Sequence, residues 1–327
     1  MRRLALATAL LTLALPASAS AAKLLPPKNK VYTGVTGSKT VGPFASQVGK
    51  HPSVFGFFTR WNGPVEYIYD AVERAESRLM LHISTQDGYG TPEAFSPREI
   101  ANGKGDGYLV RTNRRIAEYG RPTYVRFLAE MNQANNGYCA YDHNGRSRGP
   151  SHSTRAFKQA WRRATLILRG GPVATIDAAL DRLGLPALDV DVSDLPQPQL
   201  AMLWVPQTEG TPNIRANRAR AYWPGGRYVD WVGTDFYSKF PNFTDLETFY
   251  DDFPRKPFVF GEWALWDGDD PGFVRRFFGW VNRHKRARML LYNQGNTSGG
   301  PFRLSRYPES RKAIRKALKR KRFLGKP

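Results

Sequence analysis

The sequence predicts an α/β fold, a single-domain (β/α)8 TIM barrel, from three observations. Eight strand-like apolar runs alternate with amphipathic helical segments, which implies a parallel sheet. The chain has 327 residues, room for eight strand-helix units of about 38 residues each. Two glutamates, Glu130 and Glu262, close apolar runs 132 residues apart. Three such units with an insertion span that gap, so both carboxylates fall at the C-terminal ends of strands four and seven. Those ends share one mouth, where barrel active sites lie.

The first element is an export signal over residues 1–21. Arg2 and Arg3 supply its charged start, Leu4 to Leu15 its apolar run, and Ala19-Ser20-Ala21 its small-residue cleavage site. The run is too short to span a bilayer as a stable helix, and no later stretch is long enough. A secreted, extracellular product without a transmembrane segment is the expectation, and so is a monomer. Residues 22–30 are rich in Lys and Pro and read as a loose leader.

The barrel is expected over residues 31–302. Its strands are read at Val31–Val35, Val54–Phe58, Arg78–Ser84, Thr123–Ala129, Leu200–Pro206, Val229–Asp235, Phe258–Gly261 and Arg288–Tyr292. Amphipathic helices between them include Tyr108–Tyr119, with Val110, Ile116 and Ala117 among arginines, Ser153–Leu168, with Phe157, Trp161, Ala164 and Leu168 at helical spacing, and Phe273–Val281, which is aromatic and basic. The Leu-, Asp- and Pro-rich stretch 178–199 reads as an excursion between the fourth helix and the fifth strand. Residues 303–327 form a basic C-terminal helix and tail. They carry eleven Lys or Arg against Glu309, about half of the chain's net charge of +21. Tyr307, Ile314, Ala317 and Leu318 make an apolar stripe, so the charge is the solvated face of a last helix. Adhesion to an anionic cell-surface polymer is a secondary effect of such a face. No nucleic-acid motif accompanies it.

Other chemistries find little support. Cys139 is the single cysteine, so no internal disulfide can form and the thiol reads as free and inert. The five histidines show no metal-ligand spacing. Gly170-Gly171 and Gly299-Gly300 are turns, because no Lys-Ser/Thr comes after them as in a phosphate loop.

The carboxylates carry the functional reading. Strand alternation places Arg126, Leu128 and Glu130 on one side of strand four. It aligns Phe258, Phe260 and Glu262 on strand seven, and Gly233, Asp235 and Tyr237 on strand six. Arg126, Glu130, Asp235, Tyr237 and Glu262 therefore converge on one pocket, and His82 lines it from the end of strand three. Retaining glycoside cleavage needs two carboxyl groups about 5–5.5 Å apart, one ionised and one protonated. Arg126 and Tyr237 suit the task of holding Glu262 ionised. A lone strand-end glutamate reads as a satisfied ion pair; two in barrel register read as a catalytic pair.

Several stretches, taken in order, resemble the family 26 glycoside hydrolases, the β-mannanase family. They are Glu99-Ile-Ala-Asn-Gly-Lys-Gly-Asp-Gly-Tyr-Leu, Arg121-Pro, Arg126, Glu130-Met-Asn, Ala160-Trp-Arg-Arg, Leu203-Trp-Val-Pro-Gln and Tyr222-Trp-Pro-Gly-Gly-Arg-Tyr-Val-Asp-Trp-Val-Gly-Thr-Asp-Phe-Tyr. The resemblance runs from about Val31 to Gln294. It implies a barrel, a retaining double displacement and no metal or other cofactor. By position it implies Glu130 as acid/base, Glu262 as nucleophile and Tyr237 as the hydrogen-bond partner of the nucleophile. Arg126 and Asn132 match positions around the acid/base, and Tyr292 an aromatic of the sugar site. Trp61 resembles the aromatic after the second strand. Three positions depart from the pattern: Ala129 where His is usual, Gln133 where Gly is common, and a third strand that ends without Trp. These departures bear on the choice of sugar more than on bond breaking.

Trp61, Trp204, Trp263, Trp266 and Tyr292 are aromatic platforms by type. Trp61 and Trp266 are preferred as substrate contacts because loop residues come directly after them. The expected activity is hydrolysis of β-glycosidic bonds in a polysaccharide, with endo-β-1,4-mannan first and another β-glycan or exopolysaccharide second. A catalytically impaired glycan-binding barrel at the cell surface is the alternative from a different class.

Overall fold

The computed structural model describes residues 24–326; the expected export signal lies outside them. Eight parallel strands form the barrel: β1 Val31–Thr36, β2 Val54–Arg60, β3 Arg78–Ser84, β4 Thr123–Phe127, β5 Leu200–Trp204, β6 Trp231–Tyr237, β7 Phe258–Ala264 and β8 Ala287–Asn293. Each pairs with its sequence neighbour, and β8 pairs with β1 to close the ring. All eight coincide with the expected runs, within two or three residues at their ends.

Helices wrap this sheet. They are α1 Gly42–Val48, α2 Glu66–Arg74, α3 Pro97–Ala101, α4 Asp106–Tyr119, α5 Thr154–Arg169, α6 Val173–Asp181, α7 Phe243–Asp252, α8 Pro271–Arg283 and α9 Pro308–Leu318. The fifth crossover is the exception. Residues 205–230 fold as three short 3-10 turns, since Pro206, Pro212 and Pro224 interrupt any longer helix. The excursion after α5 contains α6 and a short antiparallel pairing of Gly171–Pro172 with Asp194–Leu195.

Two apolar layers hold the barrel. Tyr32, Met80, Tyr124, Trp231 and Met289 pack inside the ring with smaller neighbours from the other strands. The outward strand faces meet the helices in a larger core that includes Trp161, Trp204, Phe260 and Phe277. Between α4 and α5, Arg163 is fully buried and donates Nε to Asp106 Oδ1 at 2.8 Å and Nη1 to the Pro186 carbonyl at 2.7 Å. A buried charge of this kind is tolerated because its donors are matched.

The two chain ends differ from expectation. Residues 24–30 are bound beneath the barrel: Tyr124 donates its hydroxyl to the Leu24 carbonyl, and Arg288 caps the carbonyls of Pro26, Pro27 and Lys30. The segment is therefore no loose leader. The C-terminal stripe packs as expected, with Tyr307, Ile314 and Leu318 buried. The tail beyond it is also part of the fold, because Phe323–Leu324 pairs alongside the start of β1. No helix among the described residues is long and apolar enough to cross a membrane.

Candidate active site

Glu130 reaches the mouth through a break in strand alternation. The β4 strand ends at Phe127, and Leu128 (φ 42°) and Glu130 (φ 51°) are left-handed. Such residues cost about 1–2 kcal/mol each, so surrounding bonds must hold them. Glu130 N–H donates to the Val205 carbonyl at 2.7 Å, and Tyr138 Oη donates to the Ala129 carbonyl at 2.7 Å. Asn136 Nδ2 caps the Glu130 carbonyl at 2.9 Å. The turn corrects the expected alternation: Leu128 joins the outer core and Ala129 the barrel interior.

Glu262 points inward for a different reason. Pairing of β6 with β7 slips after Thr234, so Thr234 faces Phe260 while Asp235 faces Glu262. Gly261 is the extra residue of this bulge, and a bulge re-aims the side chain after it. Phe258 and Phe260 lie in the outer core and Val259 in the interior. The expectation that Phe258, Phe260 and Glu262 share a face is therefore corrected; the bulge turns Glu262 in against the strand's own parity.

Arg126, fully buried, lies under the site. Its Nη1 donates to Glu262 Oε1 at 2.5 Å, and its Nη2 to Asp235 Oδ2. The same Nη1 lies 2.9 Å from His82 Nδ1. Guanidinium has only donors, so Nδ1 accepts and the ring is neutral. Burial and then Arg126 push the imidazole well below its ordinary value, in agreement. Glu262 Oε2 accepts from the Tyr237 hydroxyl and from Asn293 Nδ2, the latter at 2.6 Å. Gly295 N–H donates to Asn293 Oδ1 and so fixes which end of that amide faces the carboxylate. Three donors thus converge on the Glu262 carboxylate.

Glu130 sits in a poorer field. Tyr89 donates its hydroxyl to Oε2 at 3.1 Å and Gln207 its Nε2 to Oε1 at 3.3 Å. Burial, then the charge of Glu262, raise its pKa; Arg126 and these two bonds oppose the rise. The two carboxyl groups of the cleft thus differ in their partners: three donors converge on Glu262, and Glu130 has two longer bonds.

Arg126, Glu130, Asp235, Tyr237, Glu262 and His82 are brought together as the sequence suggests. Trp266 is also at the mouth, half-buried, edge-on to Tyr237 at 5.5 Å. Three expected contacts are elsewhere. Trp61 is buried against Tyr108, Phe127 and Phe95 in the outer core. Tyr292 is fully buried between Phe44 and Trp263, its hydroxyl donating to the Phe302 carbonyl. Both residues fall on outward strand positions or behind them, so neither reaches the cleft. Asn132 spends its amide on the backbone of Gln207, at 2.9 and 2.8 Å, and positions that loop without lining the site. Trp204 and Trp263 are likewise core.

Three residues at the site escaped the sequence reading. Asn293 continues the inward spacing of Met289 and Leu291, a signal that extending the last strand by one residue would have found. Gln207 closes the quoted Trp-Val-Pro-Gln stretch. Tyr89 lies on an exposed loop, and nothing in its sequence neighbourhood marks it. Among the described residues no group of three or more His, Cys, Asp or Glu is placed to hold a metal ion.

Comparison with solved structures gives the fold its relatives. A mannanase from Bacillus subtilis superposes with a TM-score of 0.60 at 14% identity, over 92% of this chain and 88% of that one. The fold is that of the family 26 mannanases. A family 26 protein from Muricauda sp. matches with a TM-score of 0.59 at 15% identity, over 94% and 93% of the two chains. An endo-β-1,4-mannanase from Cellulomonas fimi matches at 0.59 and 14%, over 90% of this chain and 72% of its own. No family profile matches the sequence, and no curated protein matches it.

Proposed function

We propose that the protein is an exported retaining glycoside hydrolase that cleaves internal β-glycosidic bonds of a polysaccharide, β-1,4-mannan first. The observation that carries this reading is the opposed setting of its two carboxyl groups. Glu262 receives donors from Arg126, Tyr237 and Asn293, whereas burial and the neighbouring charge favour the protonated form of Glu130.

In the first step Glu262 attacks the anomeric carbon as Glu130 gives its proton to the leaving glycosidic oxygen. A covalent glycosyl-enzyme forms and the aglycone departs. In the second step Glu130, now ionised, takes a proton from water, whose oxygen attacks the same carbon and releases Glu262. Arg126 and Tyr237 steady the negative charge on Glu262 before attack and after release.

The choice of mannan rests on the mannanases that share the fold. Export rests on the N-terminal segment. Reducing-end release from β-mannan, galactomannan, β-1,3-xylan and mixed-linkage glucan tests the reading, with Glu262→Gln beside the wild type. Activity on one polymer, reduced at least about a thousandfold in the variant, is the expected result. Silence across the panel from a folded chain that still binds insoluble polysaccharide would replace the hydrolase with a glycan-binding barrel.

A further inference from the structure

Four segments distant in sequence meet at the end of the barrel opposite the mouth, and all are basic. Lys30 Nζ donates to the Lys321 carbonyl at 2.6 Å, and Lys50 Nζ to the Phe323 carbonyl at 2.7 Å. Arg322 reaches the carbonyls of Asn282, His284 and Ala287. These bonds draw residues 24–30, 49–53, 284–288 and 319–326 into one surface. Lys28, Lys285, Lys319, Arg320 and Lys321 are exposed on those segments and have no carboxylate within ion-pair distance among the described residues; Lys326 pairs with Glu76. The crowding of cations is felt inside the surface. Burial and then Lys30 lower the pKa of Lys50, and burial and then Arg288 lower that of Arg322.

This surface is an end of the barrel and not a groove, which suits a flat partner better than a thread. Leu25, one of the few large apolar side chains left exposed, stands on it. The acids of the excursion, Asp177, Asp181, Asp189, Asp191 and Asp194, belong to the β4–β5 side of the ring, across the barrel from β1. A barrel of this size is several Debye lengths wide at physiological salt, so they do little to screen the basic edge.

We infer that the β8–β1–β2 edge of this end is a docking surface for an anionic phospholipid membrane. The exported chain then lies on the bilayer with its mouth facing away, toward polymer. Such docking does not depend on the reaction assigned to the cleft.

Co-sedimentation of the chain lacking residues 1–21 with phosphatidylcholine vesicles, with and without phosphatidylglycerol, tests it. Binding is expected only with phosphatidylglycerol, and is expected to weaken at high salt. The triple variant Lys319→Glu, Arg320→Glu, Lys321→Glu is expected to bind at least about a hundredfold more weakly, at about fivefold per cation. A control with the same charge change on the helical wall, Arg98→Glu, Arg114→Glu, Arg155→Glu, is expected to retain most of the binding; circular dichroism checks that both fold. Equal loss in the two variants would overturn the assignment by making the effect one of net charge. Binding to soluble polyphosphate without binding to phosphatidylglycerol vesicles would overturn it in favour of a polymer.

Discussion

Gly261 lies against Arg126: a Cβ at position 261 would stand 3.0 Å from Arg126 Nε and 3.0 Å from Asp235 Oδ1. The guanidinium that underlies both Asp235 and Glu262 thus occupies space that any side chain at 261 would take. Gly261→Ala is expected to cost about 1–3 kcal/mol of stability, as overpacking does. Because Arg126 orients Glu262, activity should fall further, by about tenfold or more. Chemical denaturation and initial rates on the preferred polymer measure the two effects. A variant with full activity would show that Arg126 has slack in its seat.

Glu130 has a raised pKa in the folded chain, from burial and then Glu262. The folded state therefore holds its proton more tightly than the unfolded state does. Stability from this group is fully present below the unfolded value and is lost as pH rises through the folded one. Glu130→Gln removes the loss, so its Tm should exceed that of the wild type at neutral pH and match it at acid pH. Differential scanning calorimetry at two pH values is the check.

Tyr89 donates to the same carboxylate at 3.1 Å and opposes the rise in its pKa. Tyr89→Phe keeps the ring and removes the donor. The basic limb of kcat/KM, where Glu130 loses its proton, is then expected to move to higher pH. An unmoved limb would mean that the hydroxyl leaves Glu130 once substrate is bound.

Trp61 and Trp266 should behave in opposite ways. Trp61→Ala opens a cavity in the outer core and should destabilise by about 3–5 kcal/mol. Trp266→Ala sits at the mouth and should raise KM for polymer with little change in Tm. Thermal melts and saturation kinetics on the pair would distinguish packing from recognition.

The buried pair of Asp106 and Arg163 tests the scaffold away from the chemistry. Arg163→Met alone strands a buried carboxylate and should cost about 3–5 kcal/mol. Adding Asp106→Leu should recover much of that loss. Urea titration of the three chains measures the coupling.

The barrel was legible because its signal is local and repeated. Eight apolar runs separated by helical segments admit few other closed arrangements, and each observed strand lies on its expected run. Arg126, Asp235 and Tyr237 were found by counting residues in twos along those runs, which works while a strand is regular. The method fails where regularity ends. Leu128 and Ala129 exchange faces because Leu128 is left-handed, and Glu262 turns inward because Gly261 is a bulge. Both carboxylates were identified correctly as inward, yet through a parity that the backbone does not keep.

Residue type and spacing alone determined the closed barrel, the two glutamates at one mouth and the basic last helix with its apolar stripe. Tertiary structure alone decided which aromatics are core and which meet solvent, since Trp61 and Trp266 have similar loop-like neighbours in sequence and different neighbours in space. It also decided that Asn293, Gln207 and Tyr89 attend the carboxylates, and that the leader and the tail pack together under the barrel. Hydrogen bonds between residues 31 to 291 positions apart in the chain depend on where the ring closes, and closure is a property of the whole sheet that no local pattern encodes.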